Sequence, residues 1–256
     1  MNNDLESSIP VMLLAAGRGE RMRPLTDATP KPLLAVRGKP LLQWRMEALL
    51  RGGFHHAVIN TAWLGEQIED HFGTAFAAPA LAALPLQLDY SREGQDFGRA
   101  LETAGGISRA LPLLGDAFWV MAGDVFAPDF VFSSKDVQRF LDSGMLAQLW
   151  LVPNPEHNPE GDFGLDTASG LALNTSKDAA QARYTFSTIA LYRREFFLPP
   201  WCDLPPGNPQ GASKALAPLL RAAMDRKKVS AQLYTGAWTD VGTPERLALL
   251  NDYSAS

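Results

Sequence analysis

The chain has 256 residues, 46% hydrophobic and 20% charged, a globular balance with enough length to bury a substantial core. Its net charge of -5 excludes general nucleic-acid binding, which needs a basic surface, so an anionic ligand must meet a local group of Lys, Arg and backbone N–H. The single cysteine, Cys202, excludes an intrachain disulfide, and no stretch is long and apolar enough to span a bilayer. Met1–Pro10 lacks the basic-then-apolar order of a signal peptide, which leaves the cytoplasm as the expected location.

Val11–Ala15 reads as a buried strand feeding the loop Gly17-Arg18-Gly19, which continues through Pro24, Pro30 and Pro32. Leu42, Met46 and Leu49 share one face of a predicted helix over Leu41–Leu50, closed by Gly52-Gly53. Ala57–Asn60 is a second strand and Leu64–Phe72 a second helix ended by Gly73. The Ala-rich stretch Ala75–Leu84 reads as a helical turn or loop, and Leu86–Tyr90 alternates as a strand does. A helix is expected over Leu101–Leu111, and strands over Phe118–Ala122, Met145–Val152 and Tyr184–Tyr192.

A Pro-rich loop runs from Leu198 to Pro209, and Ala215–Met224 is a helix if Pro218 falls in its first turn. Near the end, Thr243 caps a last helix with Pro244 at its first position. Strands alternating with helices imply an α/β fold with a mostly parallel sheet covered on both faces, and ligands then sit beyond the carboxyl ends of the strands. With no internal repeat or composition break, one domain over residues 1–256 is expected. A first part over about 9–130 would carry the glycine-rich loop, and a second part would cover about 131–256.

The segment from Leu14 to Thr26, followed by Thr29-Pro30-Lys31-Pro32-Leu33, holds the clearest chemistry. Its small residues Ala15, Ala16, Gly17 and Gly19 let backbone N–H groups approach a triphosphate, with Glu20 inside the same loop. Arg21 and Lys31 supply charge for phosphates that gain negative charge as pyrophosphate departs. No Gly-Lys-Ser/Thr closes the loop, so it is not a Walker loop. A third glycine is missing at Met22, so it is not the dinucleotide fingerprint.

These residues resemble the sugar-1-phosphate nucleotidyltransferases, whose signature is Gly-x-Gly-x-Arg-x-x-Pro with a downstream Pro-Lys-Pro. The resemblance runs over nearly the whole chain, including Gly123-Asp124 and Trp238-Thr239-Asp240-Val241-Gly242-Thr243-Pro244. It implies a Rossmann-like three-layer α/β/α sandwich. It also implies that Arg21 and Lys31 hold phosphates and that Asp124 and Asp240 hold Mg2+, which favours a few carboxylates plus phosphate oxygens. Gly94 and Glu102 would line the base and ribose; Phe126 and Asp162 would meet the sugar.

Within the family, Ile59–Gly65, Leu101–Ile107, Gly161–Phe163, Thr185–Ser187 and Leu216–Leu220 are similar to the subgroup that uridylylates N-acetylmuramate 1-phosphate. UTP and that sugar phosphate are therefore the expected partners, with oligomeric state open. The chain departs from the pattern at Thr188, where Gly is expected, and in a lengthened loop over Pro199–Gly211. The Glu-Lys-Pro unit that grips the acceptor phosphate is absent, which leaves Lys214 or Arg183 to replace it.

His55, His56, His71 and His157 lack metal-ligand spacing with Cys202 and read as surface or structural. Mannose 1-phosphate with GTP, phosphocholine with CTP, and a non-catalytic nucleotide sensor remain alternatives. So does a glycosyltransferase, although Gly123-Asp124-Val125-Phe126 lacks the second Asp of an Asp-x-Asp unit.

Overall fold

The first apolar run forms β1 (Val11–Leu14) in the computed structural model of the chain, which describes residues 9–178 and 181–252. The reading of the N-terminus falls largely on residues 1–8, outside the described ones. β2 (Ala35–Val36) and β3 (Lys39–Pro40) make a small hairpin before α1 (Leu41–Arg51), whose Leu42, Met46 and Leu49 are fully buried. β4 (His56–Thr61) leads to α2 (Gly65–Phe72), which starts one residue late because Leu64 takes a left-handed φ of 51°. The Ala-rich stretch opens with a short edge strand, β5 (Ala75–Phe76), so the loop reading is corrected there.

β6 (Leu86–Arg92) runs directly into α3 (Glu93–Phe97), a short helix that the turn-like Ser-Arg-Glu-Gly pattern concealed. α4 (Glu102–Ala110) and β7 (Ala117–Ala122) follow as the periodicity predicts. After β8 (Val125–Phe126), α5 (Ser134–Ser143) begins at Ser133, whose Oγ accepts the Lys135 N–H at 3.2 Å. β9 (Ala147–Val152) precedes a hairpin of β10 (Phe163–Asp166) and β11 (Leu171–Leu173), then the long β12 (Arg183–Arg193). α6 (Leu216–Asp225) places Pro218 in its first turn, where the missing N–H has no intrahelical partner to lose. β13 (Val229–Leu233), β14 (Thr239–Asp240) and α7 (Pro244–Asp252) complete the chain; Thr243 Oγ1 accepts the Arg246 N–H at 3.4 Å.

Ten strands form one sheet in the order β10-β11-β13-β9-β12-β7-β1-β4-β6-β5. Strands β7-β1-β4-β6 are all parallel, because helices cross over between them. The expectation of a mostly parallel sheet is corrected beyond that block. β12 runs antiparallel to both β7 and β9, and β10–β11 and β11–β13 are antiparallel too. In the β10–β11 hairpin the reason is local: Asp166 Oδ1 accepts the Ala168 N–H at 3.0 Å and Gly170 takes φ 71°, so a tight turn joins the two strands without a crossover helix. The sheet is mixed, and β10 also pairs with β12, closing the acceptor half on itself.

Alternate residues of β1 face opposite layers. Val11 and Leu13 join a core with α1, α2 and α5, while Met12 joins one with α4 and α6. Helices on both faces give the three-layer sandwich. None of the described helices is long and apolar enough to cross a membrane.

Candidate active site

A cleft of about 680 Å³ opens beyond the ends of β1 and β7. It gathers Ala15, Ala16, Gly17, Lys31, Glu102, Asp124 and Asp162 from the residues expected by sequence. Its inner wall is fixed by a polar chain that the sequence did not reveal. The Ala15 N–H donates to Asn60 Oδ1 at 2.8 Å, Asn60 Nδ2 donates to Glu93 Oε1 at 2.7 Å, and the Leu101 N–H donates to Glu93 Oε2 at 2.7 Å. Burial pushes the Glu93 carboxyl above the usual carboxylate range, while the bonds from Asn60 and Leu101 oppose that shift. A Cβ at Gly106 would stand 2.5 Å from Glu93 Oε1, so α4 can approach this chain only with glycine there.

The glycine loop is held rather than loose. Gly19 has φ 69°, and its carbonyl accepts the Thr26 hydroxyl at 2.9 Å. The Arg18 guanidinium lies 3.7 Å from the centre of the Trp63 ring and donates to the Thr26 carbonyl at 2.9 Å. Gly19, Glu20 and Arg21 stand outside the cleft lining, and Arg21 is exposed, with no ion pair among the described residues. Lys31, only 8% exposed, donates through Nζ to Asp124 Oδ2.

Asp240 reaches the same region through the β8–β14 ladder, in which it faces Val125 and the Val241 N–H donates to the Asp124 carbonyl at 2.8 Å. Its Oδ1 meets Arg246 and, at 2.8 Å, His157 Nε2. His157 is thus a neighbour of the site, a placement that its spacing from Cys202 in the sequence does not reveal. Among the described residues no group of three or more His, Cys, Asp and Glu forms a metal cluster. Asp124, in the turn before β8, and Asp240, on β14 and outside the cleft lining, are instead the sparse hard-oxygen set that suits magnesium when phosphates supply further ligands. Each is already matched by a cationic side chain, Lys31 for Asp124 and Arg246 for Asp240, so both carboxylates are set for positive charge.

Two further expected residues, Phe126 and Gly94, also stand outside the cleft lining. Phe126 is 3% exposed and packs edge-on to Trp44 at 5.3 Å, in a cluster with Met22, Val36 and Leu41. It is core rather than sugar-binding, because β8 turns it away from the cleft. Gly94 lines a neighbouring recess, where a Cβ would stand 2.4 Å from the Ala62 carbonyl oxygen, so its role is close backbone packing. Glu93, one residue earlier, is the cleft residue.

On the acceptor side, Asp162 Oδ2 accepts the Phe186 N–H at 2.8 Å, and Thr188 lines the wall with a left-handed φ of 62°. That φ accounts for the glycine expected at this position. Lys214 pairs with Asp203, and Arg183 donates to the Asp162 carbonyl at 2.9 Å; neither lines the cleft. Arg221 does, and its signal was the Leu216–Leu220 unit immediately before it.

The profile of the family described as Nucleotidyl transferase matches residues 10–170. The chain belongs to this family. The likeness to sugar-1-phosphate nucleotidyltransferases is borne out. This nucleotidyl transferase is 45% identical to the N-acetylmuramate alpha-1-phosphate uridylyltransferase of Neisseria meningitidis serogroup B, over 92% of this chain and 94% of that protein. It is 31% identical to the enzyme of that name in Caulobacter vibrioides, over 91% and 92% of the two chains. A Bacillus anthracis crystal structure, provisionally named a glucose-1-phosphate thymidylyltransferase, superposes with a TM-score of 0.74 at 19% identity, covering 96% and 95%. That last similarity speaks for the fold alone.

Proposed function

We propose that this nucleotidyl transferase moves a uridylyl group from UTP to N-acetylmuramate 1-phosphate and releases pyrophosphate. The observation that carries the reading is the meeting of the glycine loop, Lys31 and Asp124 in one cleft, in a chain 45% identical to a uridylyltransferase over almost all of both lengths. The acceptor phosphate is already ionised at neutral pH, so its oxygen attacks the α-phosphorus without a general base. The P–O bond to the β-phosphate breaks, and the leaving pyrophosphate carries the bonding pair.

Each residue then has a role in positioning or charge. Ala16, Gly17 and Gly19 bring backbone N–H groups to the triphosphate, while Ala15, its own N–H held by Asn60, anchors the start of the loop that also carries Glu20. Lys31 stabilises the charge that develops on the phosphates, and Arg21 reaches the departing pyrophosphate from the loop's exposed edge. Asp124 and Asp240 would hold magnesium, which supplies charge neutralisation between phosphate groups when bound. Glu102, at the cleft rim, meets the nucleoside, and Asp162 meets the sugar. A cytoplasmic location suits these substrates.

The test is pyrophosphate release with magnesium, crossing UTP, GTP, CTP and dTTP with the 1-phosphates of N-acetylmuramate, N-acetylglucosamine, glucose and mannose. Turnover confined to UTP with N-acetylmuramate 1-phosphate is expected. Preference for another pair refutes the substrate assignment, and inactivity with every pair refutes the reaction.

A further inference from the structure

Lys31 and Arg221 are the two cations among the described residues that line the cleft, and they stand in different electrostatic situations. Lys31 is matched by Asp124. Arg221 forms no ion pair with a carboxylate among the described residues, although Asp162 and Asp225 stand close to it. Asp162 turns Oδ2 to the Phe186 N–H at 2.8 Å and offers Arg221 only its carbonyl, at 3.4 Å. Asp225, one helical turn along α6, accepts from Asn174 Nδ2 at 3.0 and 3.2 Å.

The guanidinium is nevertheless oriented. It sits 5.1 Å from the centre of the Phe163 ring, and Nη1 donates to Asn174 Oδ1 at 2.8 Å. An arginine that is always charged, fixed by an aromatic face and a neutral amide, and lacking an anion in a cleft wall, is arranged to receive one from the ligand.

Position decides which anion. Phe163, beneath Arg221, belongs to β10, which pairs with β12; β12 in turn pairs with β7, the strand that ends before Asp124. Phe163 faces Tyr184 on β12 whereas Met121 of β7 faces Ile189, so five residues of β12, at most about 17 Å of extended strand, separate the residues under Arg221 from those feeding the Lys31–Asp124 end. The acceptor's phosphate must reach the α-phosphorus at that end, so an oxyanion at Arg221 belongs to the opposite side of the sugar ring.

We infer that Arg221 recognises a carboxylate on the acceptor sugar and selects sugar 1-phosphates that bear an acidic side arm over neutral ones. N-acetylmuramate differs from N-acetylglucosamine by such an arm, so the inference rests on, and sharpens, the function proposed above. The phosphate end then needs no cation from α6.

Calorimetric titration of N-acetylmuramate 1-phosphate and N-acetylglucosamine 1-phosphate tests it, with magnesium and α,β-methylene-UTP present to prevent turnover. The wild-type protein should bind the carboxylate sugar about 10- to 100-fold more tightly, the worth of a charge-assisted bidentate contact. Arg221→Met should erase that preference and leave N-acetylglucosamine 1-phosphate unchanged, and Arg221→Lys should keep part of it. The Lys variant also guards against a folding defect in the Met variant. Equal weakening of both sugars by Arg221→Met would assign Arg221 to the phosphate and overturn the inference, as would a wild-type protein with no preference. Tight, Arg221-dependent binding without turnover on authentic UTP would keep the inference and refute the proposed reaction.

Discussion

Replacing Asn60 with alanine tests whether the inner wall of the cleft is set by one buried amide. Asn60 is 4% exposed, accepts from the Ala15 N–H at 2.8 Å and donates to Glu93 Oε1 at 2.7 Å. Asn60→Ala strands a buried N–H, at about 1–3 kcal/mol, and removes a bond to a carboxylate, at about 1.5–3 kcal/mol. Because the site borders the cleft, water can recover part of this, so a net loss of about 3–5 kcal/mol is expected. At about 2–4 °C per kcal/mol for a chain of this size, Tm should fall by roughly 6–20 °C.

Urea unfolding followed by circular dichroism gives the free energy, and pyrophosphate release gives KM for UTP. That KM should rise, because Ala15 opens the glycine loop. Asn60→Asp is the instructive companion: one oxygen keeps the Ala15 bond, but the other faces Glu93 Oε1, so the variant should be destabilised at neutral pH and recover in acid. A loss below about 1 kcal/mol for Asn60→Ala, with unchanged KM for UTP, would refute the reasoning.

Three further outcomes follow from the same geometry. Lys31→Met removes a preorganised donor from the phosphate end and should cost about 10²–10³ in kcat while the chain stays folded; near-normal turnover would sink the assignment. Thr188→Gly relieves a β-branched residue held at φ 62°, so the urea midpoint should rise by the equivalent of about 0.5–1 kcal/mol, and an unchanged or lower midpoint contradicts the strain argument. Glu93, whose carboxyl is held above its usual range by burial, contributes stability that is fully present below the unfolded carboxylate value. This stability is lost as pH rises through the folded value, so wild type should gain on Glu93→Gln as pH falls toward about 4; a pH-independent difference refutes it.

The parallel block of the fold was legible because its strands are unbroken apolar runs separated by periodic helices. Val11, Leu13, Leu42 and Met46 declare their burial by spacing alone. The antiparallel half was not, since strand direction is fixed by turns such as Asp166–Gly170, and polar residues there read equally as loop. The loop residues Ala15 to Gly17 and Lys31 were legible as a set because their types match one chemistry. Asn60 and Glu93 were hidden, because each owes its meaning to a partner distant in sequence: Ala15 is 45 residues from Asn60, and Asn60 is 33 from Glu93. Phe126 misled in the opposite sense, since two residues beyond Asp124 the chain has already turned into the Met22–Leu41 cluster.

The irregularity in β12 has a numerical property of its own. Between Phe186 and Ala190 the strand advances four residues, while β9, from Leu151 to Leu149, advances two, so the surplus is two. Side chains alternate with period two, so an even surplus preserves the inside-outside phase of the strand. Phe186, Thr188 and Tyr192 accordingly all line the cleft. Removing a single residue here would invert every side chain on one side of the excision, whereas removing a pair would only shorten the wall. Evolution or engineering can therefore resize this pocket in steps of two without re-sorting its lining.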